Sequence, residues 1–310
     1  MDYEVLHVII YTRPQHPWMW YPYLILSMAD TTSPMYVKRD VYSIIIDAGV
    51  YKVFHEWGFK EYPGGYKAWI HKMANFYDNV KHVVKNTWVV IPDYPSDYPN
   101  NLISDNVERT IRNIQYALDN YPDVKWIIPL QGKPNSIQSI SNTIKKLNDL
   151  GLLKSDYVAV APTCVTKSVD FLKRLAFTVR HLLRDKKIHM FGAIVRAWKD
   201  ISRYVDSTDT ITFNFYCLAY IGKRCSTPRE HVLGWIAFIY KMFRDGYITK
   251  DVYEKVLQNV KINISIREFE SIMHLLKTKK ILDINNIEVE ERHNDLSHSH
   301  ISNVASNSRA

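Results

Sequence analysis

Three consecutive isoleucines, Ile44, Ile45 and Ile46, run straight into Asp47, and Gly49 follows two residues later. A run that is apolar at every position reads as a strand covered on both faces, the kind found in parallel sheets flanked by helices. The design recurs. Residues 88–93 read Trp-Val-Val-Ile-Pro-Asp and 126–132 read Trp-Ile-Ile-Pro-Leu-Gln-Gly. Residues 157–163 read Tyr-Val-Ala-Val-Ala-Pro-Thr, 188–192 Ile-His-Met-Phe-Gly and 204–207 Tyr-Val-Asp-Ser. Each run ends in a polar residue or a glycine. A carboxylate at the end of an apolar strand has left its apolar company and needs partners, and a glycine there lets the backbone turn or lie against a ligand. Polar ends on many strands, rather than at one switch point, favour a closed barrel with its chemistry at one rim over a doubly wound open sheet.

Helical periodicity fills the stretches between these runs. Residues 66–84 carry Trp69, Ile70, Met73, Phe76 and Tyr77 at helical spacing, and 104–120 carry Val107, Ile111, Ile114 and Leu118. Residues 135–150 carry Ile137, Ile140, Ile144 and Leu147 and are closed by Gly151. Further helices are expected over 166–184 and, briefly, 194–201. Strands at 5–11, 24–27, 42–47, 87–92, 125–130, 157–161, 187–191 and 203–206 bring the count to eight. The fold class expected is therefore α/β, a (β/α)8 TIM-type barrel. Its first crossovers are irregular: 12–23 holds three prolines and two tryptophans, and 31–40 is too short and broken for a good helix. Residues 210–216 alternate in polarity and read as an added strand. A helix over 228–243 completes a catalytic barrel of residues 1–245. Amphipathic stretches 251–260 and 265–279 make a helical extension over 246–287, and the polar residues 288–310 are expected to be a disordered tail.

Composition narrows the function classes. No apolar run approaches the roughly 18 residues of a membrane span. The chain opens Met-Asp-Tyr-Glu, without the basic and apolar regions of a secretory signal. The three cysteines, Cys164, Cys217 and Cys225, do not make a disulfide framework, so a reducing, cytoplasmic setting is expected. The formal net charge of +8 favours an anionic partner such as nucleic acid, the plain alternative being a solvated basic surface.

Asp47, Asp93 and Asp206 are read as ending three separate strands. Carboxylates that converge on one rim can divide labour, one as nucleophile and another as proton donor, which is what glycosyl transfer through an oxocarbenium-like state needs. Taken singly, each could equally cap a helix or pair with a cation. Gln131 offers both a donor and an acceptor and so can read a purine edge, although a buried glutamine satisfied by backbone is as common.

In this order the motifs resemble those of the tRNA-guanine transglycosylases. Asp47-Ala48-Gly49-Val50-Tyr51 is similar to that family's Asp-Ser-Gly-Gly-(Tyr/Phe) segment. Asp93, then Leu130-Gln131-Gly132, then the small residues 159–163 follow in sequence. His189-Met190-Phe191-Gly192 resembles the strand ending in Met-Gly, and Val205-Asp206-Ser207 the strand carrying the nucleophile. The Asp206-Ser207 form and the compact length are more similar to the 7-deazaguanine DNA transglycosylase branch. The resemblance covers about residues 42–207.

The resemblance implies that guanine in nucleic acid, DNA rather than tRNA, is replaced by a 7-deazaguanine such as preQ0. Asp206 would attack C1′, and Asp47 would be the general acid and base. Asp93 and Gln131 would read the guanine edge with help from Gly132, Gly192 and Pro162, while Tyr51 and Phe191 would sandwich the base. Basic residues after the strands, Lys133, Lys167, Arg196, Lys199 and Arg203, would meet phosphates. Asp209, three residues beyond Asp206, is the alternative nucleophile. No cofactor is expected: Cys217, Cys225 and His231 do not have the spacing of the family's zinc site. Simple N-glycoside hydrolysis and non-catalytic nucleic-acid binding are the rival readings.

Overall fold

The computed structural model of the chain describes residues 8–95, 106–161, 163–166, 168–210, 216, 222 and 224–278. Eight strands are described: β1 (Ile9–Tyr11), β2 (Tyr23–Ser27), β3 (Ser43–Asp47), β4 (Asn86–Val90), β5 (Trp126–Gln131), β6 (Tyr157–Ala161), β7 (Lys187–Met190) and β8 (Ser207–Asp209). They form one sheet in the order β1-β8-β7-β6-β5-β4-β3-β2, and every pairing in it is parallel. The ends of this order meet. Thr12 N–H donates to the Tyr23 carbonyl at 3.1 Å and Ile25 N–H to the Thr12 carbonyl at 3.3 Å, in a parallel bridge between Thr12 and Leu24. The sheet is thus a (β/α)8 barrel, as the run of apolar strands predicts.

Helices α1 (Gly65–Val80), α2 (Asn106–Asn120), α3 (Ile137–Asp149) and α4 (Val169–Leu182) follow β3 to β6 in turn. A 3-10 turn (Val195–Ala197) and the single-turn α5 (Trp198–Ile201) follow β7. The first two connections carry no α-helix; the second holds only a 3-10 turn, Ser33–Tyr36. Helix α6 (Pro228–Arg244) opens on a Thr227–Glu230 capping box and buries Trp235, Ile236, Phe238 and Ile239. Helices α7 (Lys250–Asn263) and α8 (Ile266–Thr278) extend it. Val256 and Val260 of α7 join the same hydrophobic cluster as the barrel strands, so this extension packs onto the barrel. The tail expected over 288–310 and most of the strand expected over 210–216 lie outside the described residues.

Alternation decides which side chains face the barrel axis. Ile44 and Ile46 pack outward with the helices. Ile45 packs inward with Tyr11, Val90, Ile127, Tyr157 and Ala159. Asp47 therefore shares the inner face of β3 with Ile45 and Ser43, whose hydroxyl lies 2.8 Å from the Tyr11 hydroxyl inside the barrel.

The eighth strand departs from expectation. It starts at Ser207 rather than ending at Asp206, with Ser207 paired to Ile9 and His189. All three of its residues are polar, and Ser207 and Thr208 are fully buried. Hydrogen bonds compensate for that burial: the Thr208 hydroxyl donates to the Met190 carbonyl at 2.6 Å.

Candidate active site

Asp47 ends β3 at the exit rim of the barrel, the end at which (β/α)8 enzymes do their chemistry. Its Oδ2 accepts the Gly49 N–H at 2.8 Å. Only glycine serves at that position: Gly49 has φ +78°, and a Cβ there would lie 2.6 Å from the Ala29 Cβ. Burial pushes the Asp47 carboxyl up to about 6; the bond from Gly49 opposes this, and the nearby charge of Asp209 adds to it. An acid in this range can both give and take a proton near neutral pH.

Asp93 follows β4 by three residues and is 4% exposed. The Gln131 side-chain amide, at the end of β5, donates to Asp93 Oδ2. Since a carboxylate only accepts, this fixes the amide's orientation. Gln131 Oε1 is thereby left buried with no partner among the described residues. An unpaired buried acceptor costs about 1–3 kcal/mol, and a ligand N–H would remove that cost. The Tyr62 hydroxyl donates to the Asp93 backbone carbonyl at 2.6 Å, and burial together with the charges of Asp93 and Asp47 holds this hydroxyl well above its usual range.

Asp209 ends β8 at this same rim. Its Oδ1 accepts the Gly192 N–H at 2.8 Å and lies 3.1 Å from His189 Nε2. Oδ2 carries neither bond. Asp47 feels Asp209 and His189 electrostatically, so the three groups share one site. Gly192 has φ +54°, and a Cβ there would lie 2.8 Å from the Cys164 Cβ.

Asp206 is not part of the site, which corrects the nucleophile expected from the motif order. It precedes β8, at the barrel's entry end, where its backbone N–H donates to the Ile188 carbonyl and its carbonyl accepts the Ile9 N–H. Its carboxylate accepts Arg180 Nη2 at 2.6 Å and the Ile188 N–H at 2.8 Å, and its side chain is 43% exposed. The reason is parity. Residues three apart on a strand point to opposite faces, so with Ser207 and Asp209 turned inward, Asp206 is turned away from Asp47.

The remaining expected residues divide. Phe191 packs in the inner cluster with its ring 4.8 Å from that of His189. Gly132 follows Gln131 and gives α3 room, since a Cβ there would lie 2.6 Å from Ile140 Cδ1. Tyr51 does not reach the site: it opens a π-helical turn, Tyr51–Glu56, is 66% exposed and stacks on His55 at 5.0 Å. Among the cations, exposed Lys133 follows β5 and half-buried Arg196 follows β7, both on the rim side. Lys199 sits on α5 in the outer layer, and Arg203 lies in the turn into β8 at the entry end, so neither flanks the site. Pro162 and Lys167 lie outside the described residues, as does Cys217. Cys225 is disulfide-bonded, which withdraws its sulfur from the suggested zinc set, and His231 Nδ1 lies 3.3 Å from His16 Nε2. Among the described residues no group of three or more His, Cys, Asp or Glu is placed to hold a metal ion, and no helix is long and apolar enough to cross a membrane.

Sequence reasoning missed His189. A histidine between Ile188 and Met190 in a short strand carries no spacing signal of its own. What could have found it is parity with Phe191, two residues on.

No family model and no curated protein matches the chain. Solved structures similar to it include a psychrophilic glycoside hydrolase family 10 endo-β-1,4-xylanase, 15% identical with TM-score 0.38, covering 69% of this chain and 76% of that one. Another is the carboxyl transferase domain of Rhizobium etli pyruvate carboxylase, 11% identical with TM-score 0.39. That match covers 88% of this chain, which spans 49% of the carboxylase chain.

Proposed function

We propose that this barrel is a glycosyltransferase that exchanges guanine in nucleic acid for a 7-deazaguanine such as preQ0, through an ester between Asp209 and C1′ of the target nucleotide. The observation that carries this reading is a pair of rim carboxylates in contrasting environments. Asp47 is pushed up to about 6 by burial, whereas Asp209 is held by the Gly192 N–H and His189. Two carboxyl groups kept apart in this way can divide the roles of proton carrier and nucleophile.

The steps follow from those environments. Asp209 Oδ2 forms a bond to C1′ as the bond from C1′ to the guanine nitrogen breaks, and protonated Asp47 supplies a proton to the departing base. Asp47, now ionised, takes the ring N–H proton of the incoming 7-deazaguanine. That nitrogen bonds to C1′, and the ester breaks to restore the Asp209 carboxylate. One glycosidic bond is broken and one made, so no energy cofactor is needed. Gln131 Oε1 and the Asp93 carboxylate are acceptors for the N–H edge that guanine and its 7-deaza analogue share. Phe191 offers a ring beside them.

A nucleic-acid partner is supported by the net charge of +8 and by exposed Tyr51, Trp57 and Phe59 on the β3–α1 connection next to Asp47, since exposed rings stack on unpaired bases. The target base must leave its helical stack to reach the barrel mouth. DNA is the substrate proposed and tRNA the alternative. The test is incubation with guanine-labelled DNA or tRNA, with and without preQ0. Multiple-turnover release from DNA that requires preQ0 supports the proposal. Multiple-turnover release without it means hydrolysis, release from tRNA alone reassigns the substrate, and salt-sensitive binding with no release means a non-catalytic binder.

A further inference from the structure

We infer that His189 is a positioning residue: an imidazole, held as its Nε2–H tautomer by a buried chain of hydrogen bonds, that fixes one oxygen of Asp209 and leaves the other outside its bonds. The chain crosses three strands. The Tyr157 hydroxyl of β6 lies 2.5 Å from the Ser207 Oγ of β8, which lies 2.7 Å from His189 Nδ1 of β7. His189 Nε2 lies 3.1 Å from Asp209 Oδ1, which also accepts the Gly192 N–H at 2.8 Å. His189 and Ser207 are fully buried and Tyr157 is 4% exposed, so water does not complete the bonding.

Counting protons selects one arrangement. Ionised Asp209 can only accept, so His189 Nε2 carries a proton. If the ring is neutral, Nδ1 accepts, the Ser207 hydroxyl donates to it, and the Tyr157 hydroxyl donates to Ser207. Every proton then has an acceptor. If the ring were charged, Nδ1 would donate to Ser207 as well. The Ser207 hydroxyl would then donate to Tyr157, and the Tyr157 hydroxyl proton would be the one without an acceptor in this chain, a cost comparable to a lost hydrogen bond. The titratable groups facing the ring are Asp209, Asp47, Tyr157 and Tyr11. Burial holds both tyrosines well above their usual range, so neither accepts the histidine's proton.

The consequence is directional. Because both fixed bonds fall on Oδ1, the imidazole and the Gly192 amide set the carboxylate plane and leave Oδ2 as the reacting atom. The function assigned to His189 rests on the reading of Asp209 as a nucleophile; the protonation state does not, and it is tested on the resting protein. The protein is labelled with 15N-histidine, and long-range 1H–15N spectra are recorded at pH 7, with His189→Gln identifying the signal. The Nε2–H tautomer is expected. An imidazolium pattern or an Nδ1–H tautomer would overturn the inference.

Two variants then test the positioning role. Ser207→Ala removes the donor to Nδ1, so the Nε2–H tautomer should no longer be fixed and signals of both tautomers should appear. Its kcat should fall about tenfold, the effect of one lost hydrogen bond, with KM little changed. His189→Gln, whose amide can still donate to Asp209, should retain more kcat than His189→Leu. An unaltered tautomer and rate in Ser207→Ala, or equal loss in the Gln and Leu variants, would remove the role. If no exchange occurs with any base, the proposed function fails, while the spectra of the resting protein still decide the protonation state.

Discussion

Asp206 and Asp209 lie on the same short stretch of chain, carry the same functional group and sit in opposite surroundings. Asp206 sits at the entry end of the barrel, 43% exposed, with the Arg180 guanidinium and a backbone N–H on its carboxylate. Arg180 also donates to the Tyr204 carbonyl at 3.0 Å and the Lys186 carbonyl at 2.7 Å, so the pair ties α4 to the turn before β8. Asp209 sits at the exit end, turned inward, with one carboxylate oxygen left free of both of its bonds. In a parallel barrel, position along a strand decides the end and parity decides the face. A three-residue shift changes both, and chemical type alone says nothing about which aspartate reacts.

The largest expected effect separates the two directly. Asp209→Asn should lower base exchange by at least about 10³-fold, since the nucleophile is lost, whereas Asp206→Asn should leave kcat within a factor of about two. Steady-state release of labelled guanine decides it, and loss of activity in Asp206→Asn with the fold intact would reverse the assignment.

Asp47→Asn should lower exchange by on the order of 10²-fold and abolish the fall in rate expected of wild type as pH rises through about 6. The same substitution should change stability with the opposite sign. A carboxyl whose folded pKa is raised contributes stability that is fully present below its unfolded value and is lost as pH rises through the folded one. Asp47 therefore weakens the fold at pH 7.5, and Asp47→Asn should be more stable than wild type there by on the order of 2 kcal/mol, the gap closing toward pH 4. Denaturant titrations at the two values measure it; a gap that is constant with pH would remove the raised carboxyl.

Asp206→Asn should lose about 1 kcal/mol or less in the same titrations, because a half-exposed ion pair is screened by solvent. The smallest effect belongs to Tyr51. With its ring at the surface on His55, Tyr51→Ala should raise the KM for DNA about two- to fivefold and leave kcat alone, the loss of one exposed stacking contact. A fall in kcat would mean that the ring enters the site during turnover.

Legibility in the sequence followed the same division. Strands built from Ile44, Val89, Ile128 and Val158 announce themselves because burial on both faces demands apolar residues, and the barrel follows from their count and spacing. Asp47 and Gln131 were legible because each ends such a run. β8 was not: its residues Ser207, Thr208 and Asp209 are buried through hydrogen bonds rather than through apolar character, so the strand was expected three residues early, over Tyr204 and Val205. That single displacement put Asp206, rather than Asp209, at the exit rim of the barrel. His189 stayed hidden for the same reason, since its partners arrive only with the correct register of β7 on β8. The exposure of Tyr51 follows from the π-helical turn it opens, which its residues do not signal.

The most direct test of the account is to trap the covalent intermediate. Guanine-containing DNA is incubated with the protein and denatured without an incoming base, and the protein–DNA ester is mapped by peptide mass spectrometry. The adduct is predicted on Asp209, present in wild type and Asp206→Asn and absent from Asp209→Asn. An adduct that maps to Asp206, or survives in Asp209→Asn, would contradict it.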